Sequence, residues 1–275
     1  MSRNLDPKTV ASFEDEWSRF DQGALSEDEA ERIFEEYFSE FPWHQLPPGA
    51  TGFDMGCGSG RWARWAAPRV GHLHCIDPSG AIEVARANLT QLSNVSFHRA
   101  SVDDGVLPPE SQDFGYCLGV LHHVPDTPAG LRACVKLLKP GAPFLVYLYY
   151  ALENRSRAFR WLWRATDLLR QGISRLPATP KHVATDAIAL LVYLPLARAA
   201  RLLESLGLSV QGIPLSHYRA HSFYTMRTDS RDRFGTPLEQ RFTRDQIARM
   251  MQEAGLVGIQ FRAGAPYWCA VGFKA

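Results

Sequence analysis

Between residues 50 and 150 the chain alternates short apolar runs with amphipathic stretches. This is the rhythm of parallel strands buried on both faces and joined by helices. A short apolar strand runs up to Gly56, and Arg61–Ala66 reads as the helix after it. Further strands are expected over Gly71–Asp77, Asn94–Phe97, the run from Gln112 toward Val124, and the almost wholly apolar Pro143–Tyr150. A closing set follows much later: a helix over Thr243–Ala254 stopped by Gly255, then strands over Leu256–Arg262 and Tyr267–Phe273.

Two stretches lie outside this rhythm. The first forty residues are helical in pattern, with Phe13, Trp17 and Phe20 at one spacing and Ile33, Phe34, Tyr37 and Phe38 at another. Residues 151–235 interrupt the sheet after the fifth strand. Arg157–Leu169 and Ala187–Leu203 read as helices there, broken at Pro177, Pro180 and Pro195. Within the first of these, Phe159, Leu162, Trp163 and Leu169 are read as one face, with Arg157, Arg160 and Arg164 on another. The stretch 216–237, rich in His, Tyr, Arg and Asp, reads as a loop over the site, with His217, His221 and Asp229 as its chemical groups. Four segments are expected: an N-terminal helical cover (1–48), a core (49–150), a helical insert (151–235), and a closing helix and hairpin (236–275).

The chemistry concentrates in Asp54-Met55-Gly56-Cys57-Gly58-Ser59-Gly60. Glycines at the end of a strand let backbone amides approach a nucleotide-like ligand closely. The acid decides against a pyrophosphate, which a carboxylate in that turn would repel. It suits a ligand with an ammonium and a sulfonium. Here the chain resembles the class I S-adenosylmethionine-dependent methyltransferases, whose first motif is (D/E)-x-G-x-G-x-G. Four further matches follow in order: Asp77 ending the second strand, Asp103 (or Asp104) after the third, the Gln112–Val124 block, and Leu138-Lys139-Pro140-Gly141-Ala142 for the family's LKPGG turn.

The resemblance implies an α/β fold: a Rossmann-like, seven-stranded, mostly parallel sheet with helices on both faces, an antiparallel last strand and a helical cap insert after the fifth strand. It implies S-adenosyl-L-methionine as cofactor, held by Asp54, Gly56, Cys57, Gly58, Gly60, Asp77, Pro78, Asp103 and Leu118. Asp77 would take the ribose hydroxyls and Asp103 the adenine amino group, with Trp17 and Phe20 as cover. His122 and His123 are the first candidates for a base or acceptor contact, with His221 behind them; no metal is implied. Asp113 reads as serving the strand start and not the ligand.

Composition narrows the partners. A formal charge of +1 and the lack of a broad basic tract argue against nucleic acid; the resemblance implies a small-molecule acceptor methylated at oxygen or nitrogen. Five cysteines without a C-x-x-C pair fit reduced thiols and a cytoplasmic setting. No N-terminal signal pattern and no apolar run of bilayer-spanning length is evident. Charge is uneven: residues 1–40 hold four Lys/Arg and twelve Asp/Glu, whereas 151–205 hold nine and four. The insert therefore admits three readings: a lid helix with solvated arginines, which the pattern favours, a peripheral membrane contact through 157–205, or arginines turned inward toward an anionic acceptor. A membrane reading would suit a lipid-linked acceptor. An NAD-dependent oxidoreductase is disfavoured by Asp54 and the G-x-G-x-G spacing, and a non-catalytic cofactor-binding partner by the intact acids.

Overall fold

A computed structural model describes residues 4–210 and 212–275. Seven strands form one sheet in the order β3-β2-β1-β4-β5-β7-β6. They are β1 (Thr51–Met55), β2 (His72–Ile76), β3 (Val95–His98), β4 (Phe114–Leu118), β5 (Pro143–Tyr147), β6 (Leu256–Phe261) and β7 (Cys269–Lys274). The first five pair in parallel, and β7 runs antiparallel to both β5 and β6. This is the Rossmann-like sheet that the resemblance implies. The chain reverses its strand order beside β1, so the ends of β1 and β4 open the crevice where such folds bind ligands.

The ten α-helices among the described residues are α1 (Pro7–Arg19), α2 (Glu27–Phe38), α3 (Ala63–Ala66), α4 (Ala81–Asn88), α5 (Thr127–Leu137), α6 (Arg157–Ile173), α7 (Ala178–Ile188), α8 (Leu194–Ser205), α9 (Phe223–Gly235) and α10 (Arg244–Glu253). The chain divides into two compact units. One comprises the stretch ending at Asp21, Glu31–Asn154 and Leu238–Ala275; the other comprises Gln22–Ala30 and Arg155–Pro237.

In the sheet unit two apolar clusters cover the two faces, one around Phe53, Phe144 and Leu131, the other around Phe114, Tyr116 and Phe38. Asp113 accepts from the Thr51 amide at 2.9 Å and from Lys139 at 2.7 Å, so this acid joins the starts of β4 and β1 and lies away from the crevice. The closing helix α10 begins with a reciprocal capping box, Thr243 with Gln246, and Gly255 at φ +92° ends it.

The insert unit differs from the sequence pattern at three points. Residues 223–235 form a helix, not a loop. Ser222 caps it by accepting from the Thr225 amide, and its polar side chains are buried because they pair within the unit: Ser230 donates to the Thr185 carbonyl at 2.8 Å, and Arg227 pairs with Asp186. Pro195 does not break the second insert helix. A π-turn over Ala189–Tyr193 absorbs the proline, and the helix runs unbroken from Ala178 to Ser205. Its 28 residues, with an 18-residue window of mean hydropathy 1.5, would suffice by length and composition to cross a bilayer, a stretch the sequence pattern does not predict. Third, Phe159 and Trp163 of α6 are half-buried on the side of Arg170 and Ile173, whereas Leu162 and Leu169 are exposed beside Trp161 and Leu168. The single face expected from the sequence is two faces.

Candidate functional site

The site begins at the end of β1. Gly56 has φ +82°, and a side chain there would collide with Val120. Gly58, at φ +52°, is pressed from the other side by the Trp17 indole, 3.1 Å from where its Cβ would lie. Both positions therefore need glycine for space as well as for conformation. The Gly56 and Cys57 amides donate to the Ile76 carbonyl at 2.7 and 3.1 Å, and the Gly58 amide donates to Asp77 Oδ2 at 3.0 Å. The loop is thus tied to the end of β2. The buried Cys57 thiol, pushed up by burial, is packing and not a reactive thiolate.

Asp77 does two jobs. While Oδ2 holds the glycine loop, Oδ1 accepts from the Ser79 amide at 2.9 Å and the Ser79 hydroxyl at 2.6 Å, supporting the turn through Pro78 into α4. Asp54 is fully buried, and neither carboxylate oxygen has a partner of hydrogen-bond geometry; the Tyr116 hydroxyl is buried beside it. Burial raises the pKa of both acids. The charge of Asp77 adds to the shift at Asp54, and that of Glu14 to the shift at Asp77. Two such carboxylates make a crevice that favours a cation and rejects a pyrophosphate. Leu118 closes the end of β4, 6% exposed.

Helix α1 lies along this crevice. Asp6 caps it and Pro7 occupies its first turn. Ahead of the helix, the Asn4 amide donates to Asp103 Oδ2 at 2.8 Å. Along it, Phe13 meets His123 edge-on at 5.0 Å, Glu14 approaches Gly80, and Trp17 covers Gly58. Phe20, at the end of α1, is 2% exposed. Asp103 also accepts from the Ser101 hydroxyl, whereas Asp104 accepts from the Ser101 amide and closes its own turn. The structure thus brings Asp54, the glycine loop, Asp77 and Trp17 together, and α1 links them to Asp103.

His122 and His123 follow β4 in a short 3₁₀ turn, Leu121–His123. They differ in environment. His122 is fully buried, stacks on Tyr149 at 3.8 Å and has no hydrogen-bond partner at either ring nitrogen. Burial, then the neighbouring His123 and Arg241, hold its pKa well below the usual value, so it stays neutral. His123 Nδ1 sits 2.6 Å from the Leu238 carbonyl, which accepts only if that nitrogen carries the proton; the lone pair is then on Nε2. The segment that packs on this pair is 238–242: Gln240 donates to the Val124 carbonyl, and Arg241 lies 5.0 Å over the Tyr149 ring. His221 belongs to the insert unit, where its Nδ1 lies 3.4 Å from Glu29. Tyr116, Tyr149 and Glu14 are the neighbours the motif reading misses. None stands in a glycine or acid signature, and a strand tyrosine looks like core.

A glycine loop backed by two buried acids sits at the switch point of this sheet, the arrangement that the resemblance to class I S-adenosylmethionine-dependent methyltransferases implies. Residues 53–146 match the family model described as a methyltransferase domain. The chain is 33% identical over 112 residues to a ubiquinone biosynthesis O-methyltransferase of Hahella chejuensis, covering 40% of this chain and 45% of that one. It is 28% identical over 171 residues to the protein of the same name from Acinetobacter baylyi, covering 56% and 65%. The chain thus spans about half to two thirds of the length of these relatives. Among solved structures, an S-adenosylmethionine-dependent methyltransferase from Thermotoga maritima shares the fold at TM-score 0.52, with 15% identity over 97% of this chain and 100% of that one. A Haloferax volcanii protein solved with the Trm112 methyltransferase activator gives 0.53, at 16% identity over 95% and 97%.

Proposed function

We propose that the protein transfers a methyl group from S-adenosylmethionine to a small-molecule acceptor, with a hydroxyl oxygen as the favoured methylated atom. The carrying observation is Asp54, a buried carboxylate with unmet acceptor capacity at the end of β1. An ammonium donor there satisfies it, and no phosphate does. Asp77, already oriented by Gly58 and Ser79, would take the ribose hydroxyls, and Asp103 the adenine amino group. The cofactor supplies an activated methyl on a sulfonium. The protein contributes alignment, which is worth up to ~7–11 kcal/mol of barrier, and exclusion of water by α1. His123 is the better-placed proton acceptor: its tautomer is fixed by Leu238, whereas His122 is buried in a stack. A base of this kind matters for a hydroxyl acceptor and contributes ~10²–10⁴-fold. The name shared by the two curated relatives supports an oxygen acceptor. Five buried, unpaired cysteines support a cytoplasmic setting.

Calorimetric titration with S-adenosylmethionine, its demethylated product and NADH tests the cofactor. Saturable binding of the first two, weakened about tenfold or more in Asp77→Asn, is expected. Binding of NADH alone would overturn the reading. With hydroxyaryl and amine acceptors screened in parallel, His123→Gln should slow turnover by 10²–10⁴-fold and leave cofactor affinity unchanged.

A further inference from the structure

Twelve of the fourteen large apolar side chains exposed among the described residues lie between Trp161 and Leu208. Apolar exposure concentrated in one unit to this degree marks an interaction surface. On α6 it is a continuous stripe: Trp161, Leu162, Leu168 and Leu169, at i, i+1, i+7 and i+8, are 74, 53, 70 and 51% exposed. Beside that stripe run Arg157, Arg160 and Arg164, all exposed. The long helix through α7 and α8 carries exposed apolar side chains of its own, Val183, Leu190, Leu191 and Leu202.

The charges around this face are one-sided. Between 155 and 208 there are nine Lys/Arg and three Asp/Glu. Each of the three acids is held within the unit: Asp167 by Arg170, Asp186 by Arg227 and Glu204 by Arg219. Arg157, Arg160, Arg164, Arg175 and Arg201 have no such partner among the described residues. A leucine and tryptophan surface edged by unpaired arginines is the pattern of helices that lie in a headgroup layer.

We infer that the insert unit docks on an anionic lipid bilayer through this face, with its helices lying in the interface and not crossing it. The long helix cannot cross without stripping its other side. That side buries Thr185, Tyr193, Ala197 and Ala200, and its cluster includes Met226 and Phe234. Arg198 of the same helix donates to the Arg219 and His221 carbonyls. A symmetric second copy is a poorer occupant, because it would set the same unpaired arginines against one another. The inference stands on the insert alone, so vesicle binding and methyl transfer can each fail without the other.

Flotation of the full chain with vesicles of phosphatidylcholine alone, or of phosphatidylcholine with about a third phosphatidylglycerol, tests it. The chain is expected to float with the anionic vesicles, and salt should weaken the association. Arg157→Gln/Arg160→Gln/Arg164→Gln should reduce partition about a hundredfold, and Leu168→Glu/Leu191→Glu at least about tenfold. All five side chains are exposed, so thermal stability and S-adenosylmethionine binding should stay unchanged and serve as the folding control. Absence of flotation on either composition would overturn the inference. So would equal flotation of native and variant chains, or a dimer in light scattering that Leu168→Glu dissociates.

Discussion

Asp54 is the residue on which the site's electrostatics turn. Burial, opposed by the neighbouring Tyr116 hydroxyl and helped by the Asp77 charge, keeps a proton on its carboxyl at higher pH than the ordinary value of 3.8. A group with a raised native pKa stabilises the fold at low pH and loses that contribution as pH rises through the raised value. A cation entering beside it reverses the balance and expels the proton. S-adenosylmethionine binding should therefore release up to about one proton, so that the heat measured near neutral pH varies with the buffer's ionisation enthalpy. Asp54→Asn should abolish that variation and weaken affinity by roughly 10–100-fold. Equal heats in Tris and phosphate for the native chain would show that Asp54 is already ionised before binding.

At the scale of elements, α9 depends on a residue from a distant stretch of sequence. Glu29 Oε1 accepts from the Ser222 amide at 2.8 Å and the Thr225 hydroxyl at 2.8 Å, so one carboxylate completes the helix start. Glu29→Ala leaves both donors unmet in a buried place and should cost ~1–3 kcal/mol, read as a lower melting temperature with faster amide exchange over 223–235. The sequence shows the sheet clearly because each strand is a short apolar run punctuated by glycine, proline or an acid. Pro143–Tyr147 and the Gly56 turn are examples. It shows α9 poorly because Thr225 and Ser230 look solvated and become core only through Glu29 and Thr185, far along the chain. For the same reason α6 misleads. Phe159 and Trp163 look like one stripe with Leu162 and Leu169 until Arg170 and Ile173 reveal which side is buried. The placing of Asp54 and Asp77 beside the glycine loop is legible from order and spacing, whereas the contrast between His122 and His123 depends on Leu238 and Tyr149, which no local motif announces.

For the whole molecule, acid stability should be set partly by the outer strands. His74 Nδ1 and His98 Nε2 are 3.1 Å apart across β2 and β3, and His72 lies next to His74. Burial, then the adjacent imidazoles, lowers the His74 pKa from 6.5 to about 4, and His98 shifts the same way. Native His74 thus resists a proton that the unfolded chain accepts. Stability from this group is complete above about 6.5 and declines as pH falls toward 4. The decline should be of the order of 1–2 kcal/mol once partial exposure is discounted, and His74→Gln should flatten it in urea titrations between those limits. The sheet also has a history in time. The hydrogen-bonding partner of β5 on one side is β7, and the whole insert separates them in the chain. A ribosome adding ~5–20 residues per second leaves that apolar edge open for roughly 6–25 seconds while the intervening chain is made. Throughout that interval the nascent protein presents a template for stray strands. The insert thus sets how long the unfinished sheet must be shielded.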